Sequence, residues 1–244
     1  MVNDIRQIFA YSGVLKPDPG GPGSARLVEH AISLAPRGQP VRRLCYIPTA
    51  VGDLPEAIKS RTATFAGRSD VEFSVLRLFP QPSVPDIRAH LLGQDVLLVE
   101  GGSVVNLMAV WTAHGLPTIL RECWESGVVL AGPSAGSLCW HVGGPTDSFR
   151  DALDPFTGGL GFLPGSNGVH DDLDEQPRRR AFRELIAEGR LPAGYATEDG
   201  VGLHYIGAAL REAVTILPGK RAWRVARGAG GGYTEEPVTP RLIA

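Results

Sequence analysis

Short apolar runs separated by amphipathic stretches set the pattern of the first 140 residues. Residues 5–10 read as a strand, followed by a glycine- and proline-rich loop (KPDPGGPGS). A helix is expected over 24–34, with Ser24 as its N-cap. Strands follow at 43–47 (RLCYI), 72–79 (EFSVLRLF), 95–99 (DVLLV) and 127–132 (GVVLAG). Between them the periodicity predicts helices at 55–65, 87–92, 106–114 and 119–125. This β-α-β-α order implies an α/β fold, a doubly wound and mostly parallel sheet with helices on both faces.

The second half is patterned differently. Residues 143–164 are rich in glycine, proline and aspartate and read as a long loop. A helix is expected over 177–188, with Pro177 in its first turn. Closely spaced strands are expected at 194–196, 201–205, 212–217 and 221–226, a β-rich C-terminal portion. The tail at 228–240 (GAGGGYTEEPVTP) reads as loop or a final turn. No linker divides the chain, so residues 1–244 are expected to form a single α/β domain.

Composition narrows the class. The chain has 244 residues, 43% hydrophobic, with 24 Lys and Arg against 26 Asp and Glu, a formal net charge of -2. That balance disfavours a nucleic-acid binder. No apolar run approaches the roughly 18 residues of a membrane span. The N-terminus, with Asp4 and no long apolar core, does not read as a signal peptide. Cys45, Cys123 and Cys139 have no CxxC spacing, which fits a reducing, cytoplasmic setting rather than a disulfide framework. No histidine spacing suits a metal, and no phosphate-binding loop is present, so no cofactor is expected.

Chemistry concentrates in Val128-Val-Leu-Ala-Gly-Pro-Ser-Ala-Gly-Ser137. A buried strand runs into Gly132-Pro133-Ser134-Ala135-Gly136, a G-x-S-x-G elbow in a strand–turn–helix setting. Such a turn lifts the serine hydroxyl above the sheet at the start of a helix. The N–H of Ala135 then becomes one donor to a developing oxyanion. A second glycine pair, Gly101-Gly102, follows the strand at 95–99 and offers Gly102 N–H as the other donor. Both loops would lie at the carboxyl ends of strands, where doubly wound sheets bind ligands. Cys139, five residues past the serine, is expected to be a small buried side chain.

A serine nucleophile needs a base. His30, His90 and His114 fall in or at the ends of expected helices, His141 just past the elbow, and His204 inside a strand. His170 lies in a loop beside Asp171 and Asp172 and is the candidate base. Asp147, Asp171, Asp172, Glu198 and Asp199 are all candidates to orient it; spacing does not choose among them.

An ordered set of segments then carries a family likeness: Gly101-Gly102, Gly132-Pro-Ser134-Ala-Gly136, Thr146-Asp-Ser-Phe149, Leu163-Pro-Gly165, His170-Asp171, Arg178-Arg179-Arg180 and Ala196-Thr-Glu198-Asp-Gly200. Through them the chain resembles, over residues 43–225, the peptidase E family of aspartyl dipeptidases and, more distantly, cyanophycinases. The resemblance implies a Ser-His-Glu serine peptidase on a fold related to class I glutamine amidotransferases. In that reading Ser134 is the nucleophile, His170 the base, Glu198 the third member, and Gly102 and Ala135 the oxyanion donors. Asp147 is the alternative acid, and Arg178 falls near a substrate-recognising arginine.

The chain departs from the family pattern at Ser103, at Ala10-Tyr11-Ser12-Gly13, and in the acidic stretch after His170. These departures bear on aspartate specificity more than on catalysis. The expected partner is a small peptide, with neither nucleic acid nor membrane, and a homodimer stays open. The expected activity is that of a serine exopeptidase, possible aspartyl dipeptidase specificity included. The alternatives are a cyanophycinase-like hydrolase of β-linked or branched aspartyl peptides, and a non-catalytic amidotransferase-like binding protein.

Overall fold

The computed structural model describes residues 5–15, 23–35 and 40–243. In chain order the first half contains β1 (Gln7–Tyr11), α1 (Ala25–Ser33), β2 (Arg42–Ile47), α2 (Pro55–Phe65), β3 (Val71–Val75), α3 (Ile87–Leu92), β4 (Val96–Val99), α4 (Val104–Ala113), α5 (Leu116–Glu125) and β5 (Val129–Pro133). There follow α6 (Ala135–Leu138), β6 (Gly144–Thr146), β7 (Asp154–Phe156), β8 (Ser166–Val169), α7 (Arg178–Ala187), β9 (Gly194–Thr197), β10 (Val201–Ile206), β11 (Ala209–Thr215), β12 (Ala222–Arg227), β13 (Tyr233–Val238) and β14 (Arg241–Leu242).

Eight strands form the main sheet in the order β14-β11-β10-β1-β5-β4-β2-β3. From β1 to β3 every neighbouring pair is parallel. On the other side β10 runs antiparallel to β1, and β11 antiparallel to β10. The sheet is therefore mixed but mostly parallel, as the alternating pattern implies. Both faces are covered. Ile8 and Ala10 of β1 point into one apolar cluster with residues of α4 and α5, and Phe9 and Tyr11 into another with residues of α1. This two-sided burial explains why these strands read as continuous apolar runs rather than as alternating ones.

A second sheet, in the order β13-β12-β9-β8, lies outside the main one. Helix α7 packs on it through Phe182, Leu185 and Ile186. Asn167 of β8 ties this sheet to the elbow region, because its Oδ1 accepts the Ser137 hydroxyl at 2.7 Å. Among the described residues no helix is long and apolar enough to cross a membrane.

Several expected elements change. The tail is not loop: Tyr233–Val238 pairs antiparallel along the whole of β12. Within the expected loop at 143–164, β6 and β7 form a short antiparallel pair. The strand expected at 72–79 stops at Val75, and the Asp53 carboxylate takes the N–H of Leu78 and Phe79 at 2.5 and 2.9 Å. Ser24 precedes α1, but its hydroxyl accepts from Val14 N–H at 3.0 Å instead of capping the helix. Pro177 is the N-cap of α7 rather than its first residue. The loop reading at 16–24 falls mostly outside the described residues.

Candidate functional site

Ser134 stands between β5 and α6 with φ 52° and ψ −113°. A non-glycine residue in this region stores backbone strain and persists only where the surroundings over-determine it. Here they do. Ser134 N–H donates to Tyr11 carbonyl at 3.0 Å, and Ser134 carbonyl accepts from Ser137 and Leu138 N–H at 2.9 Å each. The flanking glycines leave the required clearance. A Cβ on Gly132 would sit 2.5 Å from the Val99 carbonyl oxygen, and one on Gly136 would sit 2.4 Å from the same atom. The helix after the elbow is shorter than a continuing amphipathic run would suggest, a single turn ending at Leu138.

Strand β4 is the sheet neighbour of β5, so the Gly101-Gly102 loop emerges beside Ser134. Gly102 has φ +132°, and a Cβ there would lie 2.4 Å from the Ala50 carbonyl oxygen, so glycine alone fits. Behind it, Glu100 accepts from Tyr46 hydroxyl at 2.7 Å, from Arg61 at 2.9 Å and from Gly101 N–H at 3.0 Å. That cluster holds the loop from below. Ala135 is the first residue of its helix, and its N–H has no intrahelical acceptor.

His170 follows β8 and is 2% exposed, again in the left-handed region at φ 57°. Its N–H donates to Ser12 Oγ at 3.0 Å. Its Nδ1 lies 2.5 Å from Asp199 Oδ1. A carboxylate only accepts, so the proton between them sits on Nδ1, and in the neutral imidazole that leaves Nε2 as the acceptor. Nε2 is buried and has no hydrogen-bond partner among the described residues. Asp199 is fixed in turn: Oδ2 accepts from Leu15 N–H at 2.8 Å, and its own N–H donates to Asp172 at 2.8 Å. Burial raises the Asp199 carboxyl, but the His170 hydrogen bond and charge, the Leu15 N–H and Lys220 together hold it below the usual carboxylate value.

The residue that meets His170 is thus Asp199, and the expectation of Glu198 is corrected. Glu198 accepts from Arg221 N–H at 2.9 Å, and burial raises its carboxyl. The two acids are consecutive where the chain leaves β9, and the turn at Asp199 and Gly200 carries the Asp199 carboxylate, not that of Glu198, to His170. Asp147 does not contact His170 either. It accepts from Arg178 Nη2 at 3.0 Å and from Gln176 Nε2 at 3.1 Å. Asp171 turns away into a buried ion-pair network with Arg183 at 2.6 Å and Arg179 at 2.9 Å.

His141 and His204 are engaged elsewhere. His141 Nδ1 lies 2.9 Å from the Ser137 carbonyl, and burial lowers its pKa to about 4. His204 Nε2 pairs with Gln7 at 3.0 Å, and burial again lowers its pKa to about 4. Cys139 is fully buried, and burial pushes its thiol well above the ordinary value, which disfavours a thiolate.

One open cavity of about 540 Å³ brings the site together, lined by Gly102, Ser134, His170, Asp147 and Arg178. Leu15 and Leu173 supply apolar wall. Arg178 is 8% exposed, and burial lowers its guanidinium pKa despite Asp147. Its Nε is buried without a hydrogen-bond partner among the described residues. Among the described residues no cluster of His, Cys, Asp and Glu is arranged to hold a metal.

The chain has relatives. The profile of Peptidase family S51 matches residues 24–213. An uncharacterized peptidase of Bacillus subtilis (strain 168), YgaJ, is 39% identical over 227 residues, covering 91% of this chain and 92% of that protein. Among solved structures, a peptidase from an acI-B1 Actinobacterium superposes with TM-score 0.68 at 16% identity, over 97% of this chain and 95% of that one. A protein described as a peptidase E from Listeria monocytogenes EGD-e superposes with TM-score 0.60 at 16% identity, over 87% of this chain and 100% of that one.

Proposed function

This chain belongs to peptidase family S51, the peptidase E family, and we propose that it is a serine exopeptidase that cleaves short peptides through an acyl-enzyme on Ser134. The observation that carries the reading is one cavity shared by a serine on a strained strand–helix turn and a histidine with Nδ1 held and Nε2 unspent.

In this reading Ser134 Oγ attacks the scissile carbonyl and His170 Nε2 takes its proton. Asp199 keeps the imidazole in the tautomer that can accept, and stabilises the imidazolium once formed. The N–H groups of Gly102 and Ala135 receive the oxyanion. Collapse breaks the C–N bond, and His170 returns the proton to the leaving amine. Water then attacks the acyl-enzyme along the same path in reverse, and Ser134 regains its proton.

Arg178 is the candidate contact for an acidic substrate group. Asp147 already accepts one of its N–H groups, so an aspartyl side chain would have to share the guanidinium. The three cysteines are buried and unpaired, which supports a reducing, cytoplasmic setting. Hydrolysis of Asp-Xaa, other Xaa-Xaa and β-aspartyl dipeptides by wild type and Ser134→Ala tests the proposal. Loss of all hydrolysis in the variant supports it, and unchanged hydrolysis sinks it. The rank order of the panel separates a dipeptidase from a hydrolase of β-linked peptides.

A further inference from the structure

The three residues of the proposed triad come from different parts of the fold. Ser134 follows a strand of the main sheet, whereas His170 and Asp199 follow neighbouring strands of the second sheet. Something must set the two sheets in register to hydrogen-bond accuracy. One short segment, residues 11–15 at the end of β1, bonds to all three. Tyr11 carbonyl accepts from Ser134 N–H at 3.0 Å. Ser12 Oγ accepts from His170 N–H at 3.0 Å, and Leu15 N–H donates to Asp199 Oδ2 at 2.8 Å. Two further backbone bonds tie it to the turn beyond Asp199: Ser12 N–H to Val201 carbonyl at 3.0 Å, and Gly200 N–H to Gly13 carbonyl at 2.6 Å.

We infer that Ser12 is a positioning residue for the reaction, its hydroxyl holding His170 in the left-handed conformation that presents Nε2 to Ser134. The inference rests on the triad proposed above. Parallel pairing of β8 with β9 ends at Val169 and Thr197. Beyond it His170 takes φ 57°, and among the described residues its N–H has only Ser12 Oγ to receive it. The hydroxyl can do this because its own proton goes to Thr197, whose carbonyl lies 2.8 Å and whose hydroxyl lies 2.7 Å away. Ser12 is 1% exposed, so no bulk solvent replaces it.

Of the contacts that residues 11–15 make to the triad and the turn beyond it, this is the one made by a side chain of the segment itself, among the described residues. Replacing Ser12 by alanine leaves the backbone bonds in place, as well as the Asp171 N–H to Thr197 carbonyl bond at 3.0 Å. What is lost is the acceptor of the buried His170 N–H, next to a strained backbone, together with the hydroxyl's own contact to Thr197.

The test is inactivation by a fluorophosphonate probe, which reads the activated serine without a known substrate. For Ser12→Ala the expected result is a kinact lower by about ten- to hundredfold, the scale of a small misplacement of a catalytic group, with KI unchanged. Ser12→Thr, which keeps the hydroxyl, should recover kinact to within about threefold. If the alanine variant does not fold, Ser12→Cys replaces it, since its thiol fills similar space but accepts weakly; a reduced kinact at constant KI is again expected. A folded Ser12→Ala or Ser12→Cys protein with wild-type kinact overturns the inference. So does a change confined to KI. Wild-type protein that the probe does not label overturns the triad itself, whereas labelled wild type and unlabelled Ser134→Ala keep the triad and isolate the role of Ser12.

Discussion

His170 Nδ1 and Asp199 Oδ1 lie 2.5 Å apart, and the other oxygen of that carboxylate is held by Leu15 N–H at 2.8 Å. Both oxygens are thus committed, and the imidazole has one tautomer available. The neighbouring acid, Glu198, caps Arg221 N–H instead. Asp199→Asn should therefore lower kcat by about 10³- to 10⁴-fold, the scale known when a triad carboxylate becomes an amide that favours the wrong tautomer. Glu198→Gln should stay within about tenfold, because it disturbs one hydrogen bond outside the cavity. Steady-state kinetics on any hydrolysed dipeptide compares them; the reverse ranking would return the role to Glu198.

The same pair has a pH signature. The Asp199 carboxyl is held below its ordinary value in the folded protein. Its contribution to stability is complete above the unfolded value of roughly 3.9 and is lost as pH falls through the lower folded value, since the unfolded chain binds the proton first. Thermal unfolding followed from neutral pH down through that window should show a steeper fall in Tm for wild type than for Asp199→Asn. Parallel curves would mean that the pair does not bind protons differently on unfolding.

Legibility in the sequence followed burial. The helices Pro55–Phe65 and Ile87–Leu92 coincide with their expected limits, and β1 to β5 differ from theirs by a few residues. Strands buried on both faces announce themselves by continuous apolar runs. Tyr233–Val238 was hidden because it is an edge strand with no buried residue, and its glutamates and proline carry no alternation. Strand β8 was hidden for the opposite reason: Ser-Asn-Gly-Val is fully buried, but its polar groups are satisfied by specific partners such as Ser137 and Tyr195. In the site, Ser134 and Gly102 are encoded by local backbone demands and were readable. Choosing Asp199 over Glu198 depends on which way one turn faces, and composition and spacing are blind to that.

Clearance around the elbow should be strict. At Gly136 an added methyl meets the Val99 carbonyl oxygen at 2.4 Å, backbone that cannot yield cheaply. Gly136→Ala should destabilise the protein by about 1–3 kcal/mol or more, the usual range for overpacking. Denaturant unfolding measures it, and a variant of wild-type stability would mean that β4 and the elbow separate more easily than their packing implies.

Arg183 and Asp171 form a buried pair, with side chains 3% and 1% exposed, one residue from His170. Arg183→Ala leaves Asp171 partly uncompensated and should cost about 3–5 kcal/mol. Glu235, on the edge strand β13, also holds Arg183 at 2.7 Å. It is only half-buried, so Glu235→Gln should cost less. Chemical denaturation of both variants checks the order.

Arg178 and Asp147 offer a handle on specificity. Asp147→Asn releases the guanidinium from its partner and should raise kcat/KM for peptides with an acidic residue by about tenfold or more, the worth of one charged hydrogen bond. Arg178→Met should lower it for the same peptides and leave neutral ones nearly unchanged. If both variants treat acidic and neutral dipeptides alike, the pair does not read the substrate side chain.

The central claim is that Ser134 is the nucleophile, and intact-mass analysis after fluorophosphonate treatment tests it most directly. The account predicts one adduct per chain, mapped to Ser134 by peptide fragmentation and absent from Ser134→Ala. Folded wild-type protein that stays unmodified, or an adduct on another residue, would contradict it.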